Sequence, residues 1–210
     1  MTKNEEYYKQ LLLTTIATDL ERGYGTGENW IGLCERKVKF NEKILVQEID
    51  FFVEYFYGYI NKFTIITSLF IDTDNIKVKK SKKILAFEKD LCEQNFIKTI
   101  NGNTYFSNNQ NVFDKQYNEL VMDFTVQHST EDIVRKLSYL KMDDSNTDGH
   151  LFFVLEEQNL IIYPHGDNTG YGFFGIKDRN NKMVIDFLRK IYREEGFGGH
   201  YFSNGFRYNS

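Results

Sequence analysis

The sequence predicts an α+β fold in which a mainly antiparallel sheet carries helices packed on one face, with a helix-rich N-terminal half. Three observations carry that prediction. Two short apolar runs, Phe152-Phe153-Val154-Leu155 and Leu160-Ile161-Ile162-Tyr163, flank the turn-like Glu156-Glu157-Gln158-Asn159, the pattern of an antiparallel hairpin at the middle of a sheet. Beyond residue 112 the elements read β-α-β-β-β-α. Before residue 106, apolar residues recur mostly at helical spacing.

The elements follow in chain order. Residues 4 to 21 place Tyr8, Leu12, Ile16 and Leu20 four apart on one helical face, and Gly23 ends that helix. The glycine-rich RGYGTGENW that follows is read as a plain loop, because it succeeds a helix and lacks the GK[ST] ending of a phosphate loop. From Glu42 to Ile60, Leu45, Ile49, Phe52, Val53 and Phe56 form a helical stripe that Phe51, Tyr55, Tyr57 and Tyr59 broaden. Such a helix is buried on more than one side or faces a partner.

Lys62 to Asp72 is β-branched and aromatic and predicts one strand. Asp72, Asp74 and Asn75 do not make a calcium loop, since Lys77 and Lys83 stand where that template needs Gly and Glu. A helix over Ile84–Asn95 follows. Asn101-Gly102 predicts a tight hairpin within Phe96–Phe106. Ser107 to Asn111 reads as a linker. It divides a helix-rich region, 1–106, from an α+β region, 112–210, unless the two form one continuous domain.

In the second region, Leu120–Gln127 predicts a strand. Ser129 or Thr130 caps a helix whose first turn holds Glu131 and Asp132, with Ile133, Val134, Leu137 and Leu140 inward. After the hairpin come a third strand over Tyr171–Lys177 and a last helix over Asn181–Glu195. Pro164 marks the end of a strand and is a place for a cis Tyr163-Pro164 bond.

Residues Glu119 to Glu195 resemble a family of small, uncharacterised bacterial domains. In that family a strand and a helix precede an FFV-x-x-x-x-N hairpin, an Asp-containing turn and a C-terminal helix carrying a Tyr. Here those features stand as Phe152-Phe153-Val154, Asn159-Leu160-Ile161, Asp167 to Gly170, and Tyr192. The family's turn reads Tyr-Asp-Asp-Arg-Gly. This chain has His165-Gly166-Asp167-Asn168-Thr169-Gly170 instead, with one Asp and no Arg, and the resemblance implies no particular activity.

Composition bounds the function. A net charge of −4 argues against a sequence-independent nucleic-acid coat, whose affinity needs clustered basic charge. Lys77, Lys79, Lys80, Lys82 and Lys83 form the densest basic run and read as a solvated connection. Cys34 and Cys92 stand far apart, with neither zinc nor disulfide spacing. No stretch approaches eighteen apolar residues and the N-terminus lacks a basic, apolar leader, so the expectation is a soluble cytoplasmic protein without a membrane segment.

Nineteen Phe and 14 Tyr against one Trp exceed what packing alone asks for and point to interface anchors. The expected activity is therefore inhibition by protein binding, in the manner of an immunity protein that neutralises a toxin such as a basic nuclease, with no cofactor. Tyr55, Tyr57, Tyr59, Tyr171, Glu156 and Glu157 are the expected partner-binding residues. The alternative is a metal-dependent hydrolase or nuclease. His150, His165 and Asp167 would then hold the metal, His165 with Asp167 would act as an acid-base pair, and His200 would be a further candidate; the structural alternative places His150 and His165 at strand ends and His200 in a mobile tail. No GxSxG, HExxH or Walker pattern occurs.

Overall fold

A computed structural model describes residues 3–22, 28–39, 41–74, 80–106, 110–143, 147–165, 170–203 and 206–209. The described elements are α1 (Lys3–Arg22), β1 (Trp30–Arg36), α2 (Glu42–Tyr55), β2 (Thr64–Thr67), β3 (Phe70–Asp72), α3 (Lys82–Glu93), β4 (Lys98–Ile100), α4 (Gly102–Tyr105) and α5 (Gln110–Val121). They continue with β5 (Thr125–His128), α6 (Glu131–Met142), β6 (Thr147–Asp148), β7 (Leu151–Leu155), β8 (Leu160–His165), β9 (Gly170–Gly175), α7 (Lys182–Ile191), β10 (Phe197–Ser203) and β11 (Phe206–Asn209). Short 3-10 turns cover Ile60–Lys62 and Glu156–Gln158.

The fold is α+β, as the sequence predicts. Eight strands form one sheet in the order β11-β10-β1-β9-β8-β7-β2-β5, and every pairing in it is antiparallel. Strands from both sides of the expected linker share this sheet, with β1 inserted between β9 and β10 and β2 between β7 and β5. A second sheet of three strands, β4-β3-β6, pairs β3 parallel to β4.

Alternation along the central strands explains the layering. Ile65, Phe153, Leu155, Leu160, Ile162, Tyr171 and Phe173 project to one side, into a core closed by α2, α3, α6 and α7. Their neighbours Ile66, Phe152, Val154, Ile161, Tyr163 and Phe174 project to the other side, where Tyr8, Leu12 and Ile16 of α1 cover them. Strands apolar on both faces read as unbroken hydrophobic runs. One helical layer would leave half of that surface in water, so α1 supplies a second layer where the sequence suggested helices on one face only.

Four local expectations change. The strand foreseen over Lys62–Asp72 breaks at Ser68, whose hydroxyl donates to the Val121 carbonyl at 2.6 Å and accepts from the His150 amide at 3.1 Å, so β2 and β3 enter different sheets. The Asn101-Gly102 hairpin does not form. Asn101 is extended and caps α4 by accepting from the Thr104 amide at 2.9 Å, while the Gly102 amide donates to Asp72 at 3.0 Å. The foreseen linker falls partly outside the described residues, and Gln110 and Asn111 already belong to α5. The described peptide bonds are all trans, including Tyr163-Pro164.

The hairpin stands as foreseen. Phe153 pairs with Ile162 and Leu155 with Leu160. Asn159 takes a left-handed conformation, φ 56°, at the end of the turn, an αL position that Asn tolerates better than most residues. Its side-chain oxygen accepts from the Lys177 amide at 2.7 Å.

Candidate partner-binding surface and buried polar cluster

Because Thr64 opens β2 opposite Val154, the segment joining α2 to β2 lies at the same end of the sheet as the Glu156–Gln158 turn. Lys62 and Glu157 bridge the two at 3.4 Å on exposed side chains. The start of α1 arrives there too: Tyr7 and Tyr8 both donate to Glu156, at 2.7 and 2.5 Å. The Glu156 bond raises the Tyr7 phenol above its ordinary range, and burial followed by the same bond raises Tyr8. Tyr57 stands 70% exposed in this region, and Tyr7 is 50% exposed.

Five of the six expected partner-binding residues therefore fall at or beside one end of the molecule. Tyr57, Glu156 and Glu157 are exposed and Tyr59 is half-buried. Tyr55 is half-buried against α7, its hydroxyl donating to the Met183 carbonyl at 3.0 Å with the Lys190 ammonium 5.0 Å from its ring. Tyr171, expected at the surface, is the exception. It is fully buried and stacked on Phe52, centroids 4.0 Å apart, because the alternation of β9 turns it toward α2. Its side chain presents nothing to the surface.

The histidines are spread over several strands. His150 is largely buried, its ring 5.9 Å from Phe152 and 6.2 Å from Phe124; burial, aided by Lys141, lowers its imidazole to about 4. His165 ends β8 half-buried, 5.8 Å from Tyr163. Asp167, expected beside it, lies outside the described residues. His200 is not in a loose tail: it sits within β10, opposite Leu33 of β1 and Asn209 of β11. His128 is exposed at the end of β5. Among the described residues, no three of His, Cys, Asp and Glu come together to hold a metal ion.

Of the basic run, Lys77 and Lys79 lie outside the described residues. Lys80 is paired with Glu88 at 2.5 Å on nearly buried side chains, and Lys83 with Glu42 at 3.1 Å while lying 4.0 Å from the Tyr139 ring. Both charges are thus locally engaged. Among the described residues no helix is long and apolar enough to cross a membrane.

A second constellation escaped the sequence reading. Glu48 of α2 is 0% exposed, and its Oε1 accepts from the Cys34 thiol at 3.7 Å, while its Oε2 has no hydrogen-bond partner among the described residues. Cys34, also fully buried, reaches the Tyr171 carbonyl at 3.6 Å. Burial pushes the Glu48 carboxyl well above the usual carboxylate range even though the Arg36 charge and the Cys34 bond pull it down. Burial likewise raises the Cys34 thiol, with the Glu48 charge adding to it, so that thiol is no activated nucleophile. The signal for this cluster was present in the sequence: Glu48 stands three residues after Leu45 and four before Phe52, a carboxylate on the buried stripe.

No protein-family model, curated protein or solved structure matches this chain.

Proposed function

We propose that this chain works by binding and inhibiting another protein, in the manner of an immunity protein that neutralises a toxin, through the end of the sheet where α1, the turn after α2 and the Glu156–Gln158 turn meet. The observation that carries this reading is the Tyr57 ring, 70% exposed on the segment that Lys62 links to the acidic turn. An exposed tyrosine offers a large amphipathic anchor of the kind that dominates binding energy. Glu156 and Glu157 beside it, on a chain of net charge −4, favour a basic partner and speed its encounter.

Recovery of the tagged chain from its host at moderate salt tests the reading. A stoichiometric basic protein is expected with the natural chain and is expected to be lost with Tyr57→Ala combined with Glu157→Lys. Among the described residues Glu157 takes part only in an exposed ion pair, so its reversal leaves the fold intact. Equal recovery of that protein with the double variant contradicts the assignment of the surface. Absence of any bound protein contradicts the function.

A further inference from the structure

Three side-chain oxygens in the core beneath α2 have no hydrogen bond of normal geometry among the described residues: Oε2 of Glu48, Oγ of Ser138 and the Tyr171 hydroxyl. All three residues are fully buried, so bulk water does not reach them. The Ser138 hydroxyl of α6 stands beside the Tyr171 hydroxyl of β9, and the Glu48 carboxyl of α2 is near enough for its charge to act on that phenol. Cys34 ties the group to β1, since its thiol contacts Glu48 Oε1 at 3.7 Å and the Tyr171 carbonyl at 3.6 Å. Four elements thus bring polar groups into one part of an otherwise apolar layer.

Buried polar atoms are almost always bonded, because one left bare forfeits the hydrogen bonds it made to water in the unfolded chain. Oε2 needs a donor when the carboxyl is ionised and an acceptor when it carries the proton there, and each hydroxyl needs a partner in either case. A group that both donates and accepts serves all three. A metal ion does not, because the Arg36 charge already faces Glu48 and no three ligating residues come together among the described residues. We propose that Glu48, Tyr171 and Ser138 hold one buried water molecule, which bridges α2, β9 and α6. A buried water makes about three hydrogen bonds to groups that lack other partners, the number of oxygens offered here. The bridge fixes the seat of α2, and with it the turn carrying Tyr57 that follows the helix.

A crystal structure of the natural chain, at a resolution that shows ordered water, tests the proposal. One density peak is expected within about 3.2 Å of Glu48 Oε2 and of at least one of the two hydroxyls. A second structure, of the chain carrying Ser138→Ala together with Tyr171→Phe, is expected to lose that peak, because two of its three partners are gone and no bulk has been added. Absence of a peak in the natural chain overturns the proposal, as do direct hydrogen bonds among the three oxygens in its place. A peak out of reach of Glu48 or of both hydroxyls overturns it too, and so does an unchanged peak in the double variant. The natural chain decides by itself should the variant fail to fold. No partner is needed, so failure here is separate from failure of the protein-binding reading.

Discussion

Tyr163 on β8 and Gly172 on β9 face each other across the sheet, and the tyrosine ring lies where a side chain at 172 would have to be: a Cβ added there would sit 1.8 Å from Cζ of Tyr163. The glycine lets a fully buried tyrosine lie flat over its neighbour strand, in the layer that α1 closes with Tyr8, Leu12 and Ile16. Gly172→Ala forces that ring or the strand to move. The expected loss of stability is about 1–3 kcal/mol, the usual penalty for overpacking a well-filled core, read from the urea midpoint at unchanged slope. A variant as stable as the natural chain contradicts the packing described for this face.

Glu48 makes stability fall with rising pH. Its carboxyl is held above the ordinary range by burial, so the folded chain keeps a proton that the unfolded chain releases. The contribution is most favourable at acid pH and is lost as pH climbs from the unfolded toward the folded value. Glu48→Gln removes this dependence. The variant is expected to be more stable than the natural chain above neutrality, by on the order of 1–3 kcal/mol, and no more stable near pH 4. Urea unfolding at both pH values checks the sign.

His150 acts in the opposite direction. Burial lowers its imidazole from 6.5 to about 4, so the unfolded chain takes up a proton that the folded chain refuses. Its contribution is complete above about pH 6.5 and is lost as pH falls toward about 4, a change of roughly 3 kcal/mol. Between those values the slopes of Glu48 and His150 oppose each other. Replacing His150 by Phe, which suits its place beside Phe124 and Phe152, is expected to remove the acid-side loss and leave the decline above neutrality. An unchanged acid limb in that variant contradicts the burial assigned to His150.

Much of this architecture was legible in the residues, and the parts that were not share a cause. The β7–β8 hairpin, α2, α6 and α7 were readable because their apolar residues repeat with the period of their own element. β1 was not. Its sequence, WIGLCER, mixes a glycine, a cysteine and two charges, and it becomes a strand by pairing with β9 and β10, more than a hundred residues away in sequence. Asn101-Gly102 has the local chemistry of a hairpin, yet the distant Asp72 carboxylate takes the Gly102 amide and turns the pair into a helix start.

The site residues divide in the same way. That Tyr57 and Glu157 stand exposed was readable, because charged turns and residues just past a helix end are local features. Tyr171 was misplaced because alternation separates two faces of a strand without saying that both are buried. Glu48 was overlooked because a single acid does not interrupt a strong helical stripe, and only the thiol across from it shows where that acid points.

Site-specific photo-cross-linking in the host tests the proposed function most directly. With a photoreactive residue at position 57, one cross-linked species containing a single basic protein is expected, reduced when Glu156 and Glu157 are both changed to Gln. The same probe at position 89, exposed on α3, is predicted to give none of that species. No cross-link at 57, or equal cross-linking at 57 and 89, would contradict the account.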